Sequence, residues 1–142
     1  MILFLDDEAQ SSLFLEELHE IGLPVQAFQS VDPALEFVES GLEPLLIAVV
    51  DVMMPTGNSL SLEETNDGLL TGVFVLERIR TKHSNCIIYL LTNLSSPELS
   101  ERVKHDPKVY IRVKTDVFYD EFAEEIREVF ERLSAEHEKG NF

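Results

Sequence analysis

Asp6 and Asp7 follow the apolar run Ile2-Leu3-Phe4-Leu5, and Asp51 follows another that closes at Val50. Thr92 follows Cys86-Ile87-Ile88-Tyr89-Leu90-Leu91, and Lys114 follows Val113. Carboxylates brought together repel one another and hold protons unless a cation offsets them, and hard oxygen donors of this kind suit Mg²⁺. Mg²⁺ keeps several waters and binds through a few carboxylates plus phosphate oxygens, which leaves one carboxylate, Asp51, free to attack phosphorus. A lysine and a hydroxyl supply a point charge and a hydrogen-bond donor for the equatorial oxygens of a phosphoryl group in transfer. Lys114 and Thr92 would take those parts.

The elements that would position these residues follow from hydrophobic period. Short apolar runs alternate with stretches of helical rhythm, the pattern of a parallel sheet built from βαβ units. Residues 2–5 read as a strand, and 9–21 as a helix carried by Leu13, Phe14 and Leu18 and ended by Gly22. A second strand spans 24–28. Asp32-Pro33 opens a second helix, with Asp32 as N-cap and Pro33 at the first helical position, and Gly41 closes it. Residues 45–50 form a third strand, apolar on both faces as a central strand covered by helices must be. A helix over 69–82, a strand over 86–91, a short helix over 97–105 and a strand over 109–113 follow. A last helix runs from near Asp116 toward the acidic tail at 136–139. The polar residues then sit at the carboxyl ends of strands, where an open α/β sheet binds ligands at its topological switch point.

In these elements the chain resembles the receiver domains of bacterial response regulators, over essentially its whole length. The matching residues are Phe4-Leu5-Asp6-Asp7-Glu8, Asp51-Val52-Met53-Met54-Pro55, Leu90-Leu91-Thr92 and Lys114. Asp67-Gly68 and Leu76-Glu77-Arg78-Ile79-Arg80 also resemble the family's third-helix pattern. The resemblance implies a flavodoxin-like, doubly wound five-stranded parallel sheet of order 2-1-3-4-5 with five helices, and a single receiver domain over 1–142. It implies Asp51 as phosphoacceptor, with Mg²⁺ held by Asp6 or Asp7, by Asp51 and by the backbone carbonyl of Met53. It places Thr92 and Lys114 on the phosphoryl group. A sensor histidine kinase or a phosphotransfer protein is the implied donor, and a further protein, reading the fourth helix, fifth strand and fifth helix, is the implied recipient of the signal. On this reading the chain is no turnover enzyme; it takes part in its own phosphotransfer and slow autodephosphorylation. The alternative is a receiver-like interaction module that works without phosphate.

Composition narrows the classes. A chain of 142 residues suits one domain. Eleven Lys and Arg against 27 Asp and Glu give a net charge of −16, a field that repels phosphate backbones and anionic lipid. Neither direct nucleic-acid binding nor a membrane partner is expected. The lone cysteine, Cys86, lies in an apolar run where a small thiol packs as a hydrophobe, and no CxxC or Cys/His cluster is present to hold zinc. The start reaches Asp6 without a basic region, and no apolar run is long enough to span a bilayer, so a cytoplasmic location is expected. His19, His83, His105 and His137 are expected at the surface. Nucleotide-binding loops of the GxxxxGK[ST] or GxGxxG type are missing, and Asp6-Asp7-Glu8 lacks the Asp-x-Asp of phosphatases with an Asp nucleophile. With no segment after the last helix, a stand-alone receiver signalling by contact is expected.

Several features depart from the family pattern. An insertion over 56–67 separates Pro55 from the third-helix pattern, and it is a lid, a partner contact or a solvated loop. Lys114-Thr115 replaces the usual Lys-Pro, whose peptide bond is often cis. Ile111 occupies the place of the aromatic switch, while Tyr110, one residue earlier, would point to the opposite face. Met53 and Leu94 hold positions that flank the path of an attacking water in this family, and neither orients water well. A long-lived acyl phosphate follows unless Glu63, Glu64 or Asn66 folds over the pocket. In the last helix Phe118, Phe122, Ile126, Val129 and Leu133 form a core-facing stripe that Tyr119 and Phe130 widen, and the widened edge is a candidate partner or homodimer contact.

Overall fold

Strands β1 (Ile2–Leu5), β2 (Val25–Phe28), β3 (Ile47–Asp51), β4 (Ile87–Thr92) and β5 (Val109–Val113) pair in parallel, in the order β2-β1-β3-β4-β5. They alternate with α1 (Leu13–Glu20), α2 (Val31–Ser40), α3 (Thr71–Lys82), α4 (Pro97–Val103) and α5 (Tyr119–Glu138). This computed structural model describes residues 1–138. The arrangement is the flavodoxin-like, doubly wound sheet expected from the sequence.

Period-two alternation divides the strands between two apolar layers. Leu3, Leu5, Ala48, Val50, Ile88 and Leu90 pack against α2, α3 and α4, with Val38, Val73, Ile79 and Leu99 among their partners. Ile2, Phe4, Val49, Tyr89 and Leu91 pack on the other face against α1 and α5, through Phe14, Leu18, Phe122 and Ile126. Every residue of β1, β3 and β4 is buried. These strands therefore read as continuous apolar runs, and a polar residue at their ends stands out. Cys86 is 2% exposed in the first layer, and burial pushes its thiol up to about 12, consistent with a packing role.

The termini of several helices differ from the sequence reading. The helix expected over 9–21 divides into a 3₁₀ turn at Ala9–Ser11 and α1, because the Ser12 hydroxyl accepts the Leu15 N–H and starts a new helix. Asp32 is not the N-cap of α2. That place belongs to Ser30, and Pro33 lies inside the first turn. The cause is a competing set of donors for the Asp32 carboxylate, described below. Gly41 closes α2 in the left-handed conformation, as expected. Phe118 precedes α5 and is 71% exposed, so the core stripe consists of Phe122, Ile126 and Leu133, with Val129 and Phe130 partly buried beside it. The exposed edge shifts to Phe118 and Tyr119. Lys139, at the end of the expected acidic tail, lies outside the described residues. Among the described residues no helix is long and apolar enough to cross a membrane.

Candidate functional site

The chain leaves β1 for β2 on one side and later returns to lay β3 on the other, so the crevice between the carboxyl ends of β1 and β3 is the switch point. Leu5 pairs with Val50, which sets the residues that follow, Asp6 and Asp51, side by side. Ligand oxygens of Asp6, Asp7 and Asp51 lie within 4.8 Å of one another. Asp6 and Asp51 are 2% and 5% exposed, whereas Asp7 is open to solvent. The loop after β1 holds Asp6 through a turn in which Glu8 N–H donates to Asp6 Oδ1 at 2.8 Å.

Lys114 reaches this group from the end of β5. Its Nζ lies 3.0 Å from Asp6 Oδ2 and 3.9 Å from Asp51 Oδ1. The Lys114–Thr115 peptide bond is trans. The lysine is aimed instead by its backbone, since Lys114 N–H donates to the Thr92 carbonyl at 2.7 Å and continues the β4–β5 ladder by one residue. A cleft of about 340 Å³ opens beside the pair, lined by Asp6, Lys114, Asn93, Thr115 and Tyr119 among others.

Burial and the neighbouring Asp6 push the Asp51 carboxyl up to about 7, with Asp7 adding to the rise, while Lys114 and the Met53 N–H oppose it. One cation is thus shared among crowded carboxylates. The donor set is all oxygen and anionic, so it fits a small hard divalent cation, which would also relieve the repulsion. Among the described residues, Asp6, Asp7 and Asp51 are the side chains grouped to hold it.

Thr92 is fully buried, and its hydroxyl is occupied by the loop after β4: it donates to the Leu94 carbonyl at 3.0 Å and accepts the Leu94 N–H at 3.3 Å. Contact with a bound phosphoryl group requires that donor bond to be exchanged. Ile111 faces the α2–α4 layer, and Tyr110 faces the opposite side, where it stacks on Tyr89 at 5.3 Å. The β4–β5 register is continuous, so no bulge brings Tyr110 round to Thr92. Arg112 lies over both Tyr89 and Tyr110 and pairs with Glu125 at 2.7 Å.

Two positioning residues carried little signal in the sequence. Gly72, in the first turn of α3, donates its N–H to the Val52 carbonyl at 2.9 Å, and a Cβ there would lie 2.5 Å from the Asp51 carbonyl oxygen. An isolated glycine inside a helical pattern was the available hint of such a close approach. Asp32 is the second. Its carboxylate accepts the backbone N–H groups of Asn58 and Ser59, the shortest at 2.8 and 2.9 Å, and the Ser59 hydroxyl at 2.6 Å. The Ser59 hydroxyl and the Asn58 N–H hold the Asp32 carboxyl below its usual range. The insertion over 56–67 is therefore a folded segment. Thr65, near its end, is fully buried, with its hydroxyl donating to the Ser61 carbonyl at 2.9 Å. Its far end is closed by Met54 N–H on the Gly68 carbonyl and by the Thr71 hydroxyl on the Met54 carbonyl.

Of the histidines, His83 is half-buried, with Nε2 3.1 Å from the Val38 carbonyl, while His19, His105 and His137 are exposed.

No protein-family model matches the chain, and no curated protein matches it. Solved structures do. The chemotaxis protein CheY4 of Vibrio cholerae superposes with a TM-score of 0.67 at 20% identity, over 90% of this chain and 96% of that one. The signal receiver domain of an HD domain-containing protein from Pseudomonas fluorescens Pf-5 gives 0.71 at 17% identity, over 96% and 90%. A response regulator from Burkholderia pseudomallei, solved with a phosphorylated aspartic acid, calcium ion and citrate, gives 0.63 at 19% identity, over 89% and 69%. What these neighbours share with the chain is architecture: its fold is that of response-regulator receiver domains.

Proposed function

We propose that this chain is a response-regulator receiver that accepts a phosphoryl group on Asp51 in the presence of Mg²⁺ and signals by protein contact. The observation that carries the reading is the placement of Asp6, Asp7 and Asp51 within 4.8 Å at the switch point, with Lys114 Nζ 3.0 Å from Asp6 and 3.9 Å from Asp51. The receiver fold of the neighbours, one of them solved with a phosphorylated aspartic acid, supports it.

In this reading each residue has a distinct part. Asp6 and Asp7 would hold the cation, together with Asp51 and the Met53 carbonyl. A bound Mg²⁺ supplies charge neutralisation for phosphate oxygens and lowers the repulsion around Asp51. An Asp51 carboxylate oxygen attacks the phosphorus of the donor; a new O–P bond forms while the donor's bond breaks and its electron pair leaves with the donor. Lys114, now neutralising Asp6, turns its charge to the arriving phosphoryl oxygens, and Thr92 gives up the Leu94 carbonyl to donate to them. The donor is a sensor histidine kinase or a phosphotransfer protein, and the reader of the signal is another protein. With Tyr110 held on the Tyr89 side of the sheet, the Thr92 movement couples to Ile111 rather than to an aromatic ring.

Mg²⁺ titration tests the site. The wild type binds weakly without phosphate and far more tightly with beryllofluoride, and the Asp6→Asn/Asp7→Asn variant loses both. Equal binding in wild type and variant refutes the metal assignment. Binding of an output protein that is indifferent to Asp51 phosphorylation favours the phosphate-independent module instead.

A further inference from the structure

An acyl phosphate on Asp51 would be lost by hydrolysis. Hydrolysis forms a bond from a water oxygen to phosphorus. The P–O bond to Asp51 breaks, its electron pair returns to the carboxylate, and a water proton passes to a phosphate oxygen, giving inorganic phosphate. The rate depends on a group that holds the water in line. A cleft of about 270 Å³ just beyond the end of β3 is lined by Val52, Met53, Asn66 and Leu94 among others. Met53 and Leu94 have no group that orients water strongly. Asn66 has one, and no described residue hydrogen-bonds its carboxamide.

Asn66 is fixed there by its backbone. Asn66 and Asp67 adopt φ of 54° and 57°, and Gly68 follows at 87°. Asn and Asp tolerate the left-handed region better than other side chains, and two in succession persist when their surroundings over-determine them. Here they do: Asp67 N–H donates to the Leu62 carbonyl and Leu70 N–H to the Thr65 carbonyl, both at 2.8 Å. Thr65 is buried beneath them, and Asp32 ties down the other end of the insertion.

We propose that the insertion delivers Asn66 as the residue whose carboxamide orients the water that hydrolyses the Asp51 acyl phosphate. The inference rests on the acceptor reading and adds the control of its lifetime. Ser96, on the same cleft, is occupied, since its hydroxyl accepts the Leu99 N–H at 3.1 Å to cap α4. Ser95 and Glu98 are the competing polar groups.

Glycine adopts positive φ without strain, so Asn66→Gly keeps the backbone and removes the carboxamide alone. Each protein is phosphorylated with acetyl phosphate in Mg²⁺, freed of the donor, and followed by intact mass. The Asn66→Gly acyl phosphate is expected to decay about tenfold more slowly than wild type, with Ser95→Ala and Glu98→Ala unchanged. Equal decay in Asn66→Gly, or a slowing confined to Ser95→Ala or Glu98→Ala, overturns the assignment and leaves the acceptor reading standing. If the wild type takes up no phosphoryl group at all, both readings fall.

Discussion

Lys114 Nζ is closer to Asp6 Oδ2, at 3.0 Å, than to Asp51 Oδ1, at 3.9 Å. The lysine therefore serves the metal-free protein as the counterion of a buried carboxylate. Removing one partner of such a pair leaves an uncompensated charge, which costs about 3–5 kcal/mol when buried, and less here because the lysine side chain is 20% exposed. Lys114→Ala is expected to lose about 2 kcal/mol in chelator at about pH 7.5. Mg²⁺ should restore most of it. Urea unfolding with and without Mg²⁺ measures both, and an equal loss in the two conditions contradicts the counterion role.

Asp51 gives a pH dependence of defined sign. Its folded value of about 7 lies above that of an ordinary carboxyl, so the folded state keeps a proton that the unfolded chain releases near about pH 4. The unfolded state binds fewer protons between these values, and metal-free stability falls as pH rises from about 4 to about 7. The ceiling of this effect is roughly 4 kcal/mol. Asp51→Asn is expected to be more stable than wild type by about 1–3 kcal/mol at about pH 8 without metal, and equally stable at about pH 4. Chemical denaturation across this range decides it. A variant less stable than wild type at about pH 8 would refute the crowded-carboxylate picture.

Gly72 joins the site to α3. A Cβ would enter at 2.5 Å from the Asp51 carbonyl and 2.8 Å from the Val52 Cα, both rigid backbone atoms. Gly72→Ala therefore drives α3 off β3, and a loss of about 2–4 kcal/mol is expected despite the better helix propensity of alanine. Thermal unfolding with no loss, or a gain, would show that the contact is slack.

The Asp32 clamp acts locally. Asp32→Ala removes the acceptor of two backbone amides and one hydroxyl at a solvent-accessible site, so the global loss of stability should be small. The amides of Asn58 and Ser59 should lose their protection from hydrogen exchange. Protection unchanged in the variant would mean that the insertion holds itself.

The difference in legibility between Asp51 and Asp32 has a physical source. Asp51 ends a strand buried on both faces, so the break in the apolar run marks it, and the same holds for Asp6 and Thr92, whereas Lys114 follows the half-exposed edge strand β5 and stands out less. Asp32 next to Pro33 carries the local signature of an N-cap, yet the N–H groups that donate to its carboxylate lie 26 and 27 residues away on the insertion. Local spacing does not register partners at that separation. Gly72 is alike, because a close approach depends on what packs there. The alternation that separates Tyr110 from Ile111 was readable, since strand period is a local property and the β5 ladder is regular. Phe118 matched the stripe by spacing, but α5 begins one residue later and leaves its ring in solvent.

Asp51, as the proposed phosphoryl acceptor, is open to direct test. Intact-mass analysis after acetyl phosphate treatment tests it most directly, in wild type and Asp51→Asn, with Mg²⁺ and with chelator. The wild type is expected to gain the mass of one phosphoryl group in Mg²⁺ and little or none in chelator, and Asp51→Asn to gain none. A phosphoryl group gained to the same extent by Asp51→Asn, or no gain by the wild type in Mg²⁺, would contradict it.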